Sequence, residues 1–180
     1  MPSWGELLVD HRPDDRPRIA ALNSYGVLDT PNEVEFDAIV REAARILRTP
    51  IALISLIDEN RQWFKAKVGL EASETPRSIS FCTHAIRGPD VFVVEDASKD
   101  ARFSANPLVT GDPSIRFYAG APLKTASGMR VGTLCVIDSK VHPALTERQK
   151  TDLEALADRT MKAMEARRAR LAHQAIRDTV

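Results

Sequence analysis

A chain of 180 residues, 43% of them hydrophobic, is long enough to bury a core without disulfide or metal staples. Its 25 basic and 25 acidic side chains cancel, which excludes a global field drawing it onto nucleic acid or an anionic membrane. Cys82 and Cys135 are the only cysteines, which excludes a secreted disulfide framework; neither belongs to a Cys-x-x-Cys pair, and a reducing cytoplasmic location is expected.

Residues 1–16 hold Pro2, Pro13 and Asp14-Asp15 without a sustained period and read as an arm. "MPSWGELLVDHRPDDRPR" is too charged and proline-broken for a signal peptide, and no later run approaches a membrane span, so no membrane partner is expected. A domain follows over 17–166, then a helical extension over 167–180. Pro17 suits the first turn of a short helix through Ser24, and Thr30-Pro31 the start of a second. In that second helix Phe36, Ile39, Val40, Ala43, Ile46 and Leu47 share one face, and Thr49-Pro50 ends it.

"IALISLID" is apolar on both alternating faces, as in a strand covered on both sides. "QWFKAKVG" alternates instead: Phe64, Ala66 and Val68 against Trp63, Lys65 and Lys67, the pattern of a half-exposed strand paired to the first as a hairpin. "VFVVED" is a third strand, and "IRFYAGAPLKT" and "RVGTLCVID" form a second hairpin, giving five strands in an α+β fold. The connection "ASKDARFSANPLVTGDPS" is long for a structureless loop and is expected to fold into short helical turns over a site.

From Thr146 a long helix is expected, with Thr146 and Gln149 closing a capping box. Ala157, Met161, Met164, Arg168, Leu171 and Ala175 follow a seven-residue rhythm broken by one arginine. Two readings follow: a short coiled coil between two copies through Ala157, Met161, Met164 and Leu171, or a helix packed on its own sheet whose basic end, Arg167, Arg168 and Arg170, is solvated.

"SISFCTHAI" sets Cys82 two residues before His84. A thiolate and imidazole pair is disfavoured, because residues two apart on a short helix point about 200° away from each other. Cys82 is expected as buried core or pocket wall. No metal is expected: the other donors, Cys135, His142 and His173, lie in separate elements.

The phrases "GVLDTPNEVEFDAIV", "IALISLIDENRQWFKAKVGL", "SISFCTHAI", "VVEDASKDARFSANPLV", "IRFYAGAPLKTASGMRVGTLCVID" and "LTERQKTDLEALA", in this order, resemble a GAF domain from about Arg18 to Met164. The resemblance is to the GAF sensory domains of bacterial signalling proteins that sit beside histidine kinase or diguanylate cyclase modules, including those of two-component systems. It implies a central antiparallel sheet, terminal helices packed on one face, and a pocket on the other, roofed by Ser78 to Arg87 and Ala97 to Pro113. Around that pocket Cys82, His84, Asp96, Phe103, Asn106, Pro107, Arg116, Phe117 and Tyr118 become the candidate ligand-binding residues, with Arg116 suited to an anion. The alternative is that Asp96, Asp100 and Arg102 hold the loop by turn hydrogen bonds and the aromatics are core.

The expected role is a noncatalytic sensory domain that binds an unidentified small molecule, needs no cofactor, and signals through a homodimer or a kinase or cyclase partner. No output module is recognisable up to Val180, so the chain reads as the sensor part, alone or as a fragment. Other readings are a ligand-free docking module, a reductase similar to the free methionine sulfoxide reductases, and a bilin photoreceptor. The reductase reading is weakened by having two cysteines only, the photoreceptor by the absence of cysteine from "NPLVTGDPS". The signature of cyclic-nucleotide-binding GAF domains is not evident.

Overall fold

The computed structural model describes residues 14–180; the arm expected over 1–16 lies outside them up to residue 13. Helices α1 (Arg16–Asn23) and α2 (Val34–Leu47) lead into strands β1 (Ile51–Ile57), β2 (Arg61–Val68) and β3 (Glu74–Pro76). Helix α3 (Cys82–Ala85), β4 (Phe92–Val94), α4 (Pro107–Thr110), β5 (Phe117–Lys124), β6 (Arg130–Asp138) and α5 (Glu147–Arg177) follow. The strands form one antiparallel sheet in the order β3-β2-β1-β6-β5-β4. Among the described residues there are six strands where five were expected: β3 is a three-residue edge ending in Pro76, a residue with no N–H to extend a ladder.

Two apolar layers sandwich the sheet. Leu22 of α1, the expected stripe of α2, and Leu153, Leu156, Ala157, Met161 and Met164 of α5 cover one face. Phe81, Cys82, Ala85, Phe103 and Val109, from the short elements between β3 and β5, cover the other against Leu53, Tyr118, Cys135 and Ile137. Each face thus removes a full set of strand side chains from water, the main favourable term in folding.

Helix α2 begins at Val34, with Glu33 rather than Thr30 before it; the Thr30 hydroxyl donates to the Val27 carbonyl instead. Its stop is Arg48 in the left-handed region, φ 53°. Helix α5 starts as expected, with the Thr146 and Gln149 side chains each bonded to the other's backbone N–H.

The half-exposed reading of β2 is corrected. Trp63, Phe64, Lys65 and Ala66 are all buried, because layers lie on both sides. A bulge opposite Ile54 and Ser55 makes Lys65 the extra residue and breaks the alternation: Phe64 joins the roof cluster while Ala66 joins Trp63 on the helix side. The Lys65 side chain, 0% exposed, donates to Glu33, Thr30 and the Pro31 carbonyl.

The coiled-coil seam is corrected in its first half. Ala157, Met161 and Met164 are buried in the chain's own core and have no surface to offer a second copy, whereas Leu171 is 41% exposed. Arg167, expected in solvent, is buried: it donates to Glu33 at 2.7 Å and to the Gly26 carbonyl at 3.0 Å. Arg168 donates to Ser24 and Glu165, and its guanidinium lies over the Tyr25 ring.

Candidate functional site

The roof descends on three central strands. Parity along β6 turns Thr133, Cys135 and Ile137 to the roof, while Leu134 and Val136 face the helices. Tyr118 on β5 shares the roof side; Phe117, next to it, does not. Phe117 belongs to the helix-side core and stacks on His142 at 4.2 Å, so its expected place in the pocket is corrected by the same parity.

Cys82, at the start of α3, points into this floor. Its Sγ accepts hydrogen bonds from the Tyr118 hydroxyl and from Thr133 Oγ1, each at 3.1 Å, and lies 3.9 Å from Cys135 Sγ. Burial alone would push the Cys82 thiol up, but the donors Cys135, Thr133 and Tyr118 outweigh it and bring the thiol from 9.0 down to about 6. Cys135 is pushed well up, first as donor to Cys82 and then by burial. Tyr118 is also raised, by burial and by the charge on Cys82, which keeps its proton in place as a donor. The Ser55 hydroxyl donates to Gln62 Oε1 at 3.0 Å, so its one proton is already committed. The dithiol was not legible from sequence: its members lie 53 residues apart.

His84 packs edge-on against Phe103 at 4.8 Å and near Phe92, away from the thiol cluster. Burial, then the cations of Arg87 and Arg102, lower its pKa and favour the neutral ring. Phe103 is buried and stacks on Phe81, centroids 4.1 Å apart.

The remaining candidates build the roof. Asp96 accepts from the backbone N–H and hydroxyl of Ser98, closing a 3-10 turn. Asn106 caps α4 through Leu108 N at 2.9 Å, and its amide donates to the Ile79 carbonyl at 3.0 Å, stitching α4 to the segment before α3. Pro107 is the exposed first residue of α4. Arg116 directs Nη1 to the Val109 and Ile115 carbonyls.

A cavity of about 350 Å³ opens beside this roof, walled by Leu53 of β1, Phe64 of β2, Leu108 of α4, Ile115 just before β5, and Ile137 of β6. Gln62 and Thr75 supply buried or half-buried polar atoms, and the exposed Glu71 and Asp112 stand at the rim. None of the nine expected ligand residues lines it. A second cleft of about 300 Å³ lies near α1, with Arg18, Arg77, Arg87 and Arg130 in its wall. There Asp15 already joins Arg18 and Arg77, both at 2.6 Å. Among the described residues no group of three or more His, Cys, Asp or Glu is placed to hold a metal, and no helix is long and apolar enough to cross a membrane.

Comparison with known proteins bears on this architecture. The chain is 48% identical over 144 residues to a cyclic di-GMP phosphodiesterase of Pseudomonas aeruginosa; the match covers 80% of this chain and 24% of that protein, so the chain spans about a quarter of that relative's length. Among solved structures it is similar to the GAF domain of an Acinetobacter phosphoenolpyruvate-protein phosphotransferase, at TM-score 0.62 and 18% identity over 88% of this chain and 97% of the other. It is also similar to the free methionine-R-sulfoxide reductase of Neisseria meningitidis, at TM-score 0.61 and 17% identity, covering 82% and 87%. At such identities these two likenesses carry the fold alone. The family model for the GAF domain matches residues 31–164, which runs from the turn before α2 to the last buried methionine of α5, and the chain therefore belongs to the GAF domain family.

Proposed function

We propose that this chain is a noncatalytic sensory domain that takes a small, largely apolar molecule between β1, β2 and α4 and reports it through the sheet to α5. The observation that carries the reading is the cavity of about 350 Å³ on the face opposite α5. Its volume falls within the roughly 300–1,000 Å³ of small-ligand sites. The lining supports binding over chemistry: Gln62 already bonds Ser55, Ser80 and Thr75, and the carboxylates of Glu71 and Asp112 sit out at the rim.

A ligand seated against Leu108 and Ile115 favours one packing of α4 on β1 and β6, whose other face carries the helices. This is a population shift between roof packings. Its output is a second copy, through the exposed stretch around Leu171 and Ile176, and then a signalling enzyme. The similarity to a cyclic di-GMP phosphodiesterase favours an enzyme of cyclic dinucleotide turnover as that output, with a histidine kinase or diguanylate cyclase serving the same role. Two cysteines, too few for a secreted disulfide framework, support a cytoplasmic setting.

Native mass spectrometry of the purified chain, with thermal shift across a metabolite library, tests the reading. The expected result is an adduct lost on denaturation, or a ligand that raises Tm in the parent and not in Leu108→Trp. No adduct and no stabilising compound would overturn it.

A further inference from the structure

We propose that Cys82 and Cys135 form a reversible dithiol switch in which a hydroperoxide oxidises Cys82 and Cys135 closes the bond, latching the roof to the sheet. Neither cysteine lines the ligand cavity, and the inference does not rest on the proposed ligand or output.

The geometry separates the roles. Cys82 receives two hydroxyl donors at 3.1 Å, so negative charge on this sulfur is solvated inside the protein. Cys135 sits at the middle of β6, between β1 and β5, and its position is set by ladders on both sides. The attacking sulfur is therefore on the movable roof and the resolving sulfur on the rigid strand. From 3.9 Å a disulfide needs roughly 1.9 Å of approach to reach a bond near 2.0 Å. Helix α3, four residues long between loops, supplies that movement more easily than β6.

In the first step the Cys82 thiolate attacks the distal oxygen of the hydroperoxide. The O–O bond breaks, the alkoxide or hydroxide takes a proton, and Cys82 becomes a sulfenic acid. In the second, Cys135 sulfur attacks Cys82 sulfur, the S–O bond breaks, and hydroxide leaves with the Cys135 proton as water. The two sulfurs lose two electrons and the peroxide gains them. A dithiol reductant restores the pair by exchange. Hydrogen peroxide is nearly as small as water, which suits a cysteine only 2% exposed. Closure also withdraws the thiolate from Tyr118 and Thr133, whose hydroxyls, 3.5 Å apart, are left to each other. Phe81, beside Cys82, moves with it against Phe103, so the latch reaches the loop before α4.

The test treats the full chain with hydrogen peroxide, denatures it in an alkylating reagent, and maps the peptides by mass. The expected result is a chain lighter by two hydrogens that takes no alkyl group at either cysteine, carries a Cys82–Cys135 cross-linked peptide, and recovers both thiols in dithiothreitol. In Cys135→Ser the same treatment leaves a sulfenic acid at Cys82 that a 1,3-diketone captures. Two thiols still open to alkylation after peroxide, or oxygen added to Cys82 of the parent without the cross-link, would overturn the proposal. The parent chain alone decides the matter if the variant does not fold.

Discussion

Glu33 and Arg167, 134 residues apart in the chain, meet with the guanidinium Nε 2.7 Å from the carboxylate, and Lys65 reaches the same oxygen at 2.5 Å. One carboxylate at the start of α2 thus neutralises a cation from the central sheet and another from α5. Burial pushes Glu33 up, but its bonds to Lys65 and Arg167 outweigh that and hold it below the usual range. Glu33→Gln leaves two buried cations without a counter-charge, and the expected cost is about 3 kcal/mol in urea unfolding. A loss under about 0.5 kcal/mol would mean that the carbonyls of Pro31 and Gly26 suffice.

Asp15 is held far below the ordinary carboxylate range: the hydrogen bond from Arg18 outweighs burial, and Arg77 adds a second. A depressed carboxylate pKa contributes stability that is fully present above the unfolded value of about 3.9 and is lost as pH falls toward the folded value. Asp15→Asn is expected to lower stability by about 1–2 kcal/mol at pH 7 and to converge on the parent in strong acid. Melting curves from pH 7 to pH 2 check this, and parallel curves for the two proteins would contradict it.

Cys82 is expected to react with a thiol reagent along a pH profile centred near its lowered value of about 6. Tyr118→Phe removes one of the donors at 3.1 Å and moves the profile to higher pH. Peptide mapping by mass provides the site-resolved readout, since it separates Cys82 from Cys135 and leaves the Cys135 donor in place. An unmoved profile would show that the phenol does not hold the charge.

Met161 and Leu171, both in the seven-residue rhythm, are expected to part company. Met161→Glu places a charge at a buried core position and costs several kcal/mol, on the order of the 2–5 for losing such a side chain. Leu171→Glu leaves the melting temperature within about 2 °C and, under the proposed pairing, converts a dimer to a monomer by light scattering. A dimer unchanged in Leu171→Glu would move the interface elsewhere.

Much of the fold was legible because single elements announce it. The stripe Phe36, Ile39, Val40, Ala43 and Leu47 is helical at any register, and Thr146 with Gln149 marks a helix start by local chemistry alone. What escaped depends on how strands meet. The bulge that buries Lys65 exists only when β2 is laid against β1, and its signal in sequence, a lysine in an apolar run, equally describes an exposed face. Arg116, Phe117 and Tyr118 could not be divided between roof and core because β5 is apolar on both sides. The roof segments were found, yet the cavity was not, since its walls come from five separate stretches that only the sheet brings together.

The anchoring of Arg167 constrains how α5 can move. Sliding the helix along its axis by a turn, about 5.4 Å, would carry a guanidinium off Glu33 and into apolar surroundings, an expensive displacement. Tilting the end of α5 beyond the Glu33 contact keeps the charges together and leaves Met161 and Met164 packed in the core. From Leu171 to Val180 every residue is exposed, so this stretch can swing without unpacking anything. The ten residues from Arg168 to Arg177 span about 15 Å, and a tilt of about 5° at the anchor displaces their tip by roughly 1.3 Å. Under the proposed output the salt bridge is therefore a fulcrum: a tilt of the exposed end keeps the pair together, whereas a piston stroke breaks it.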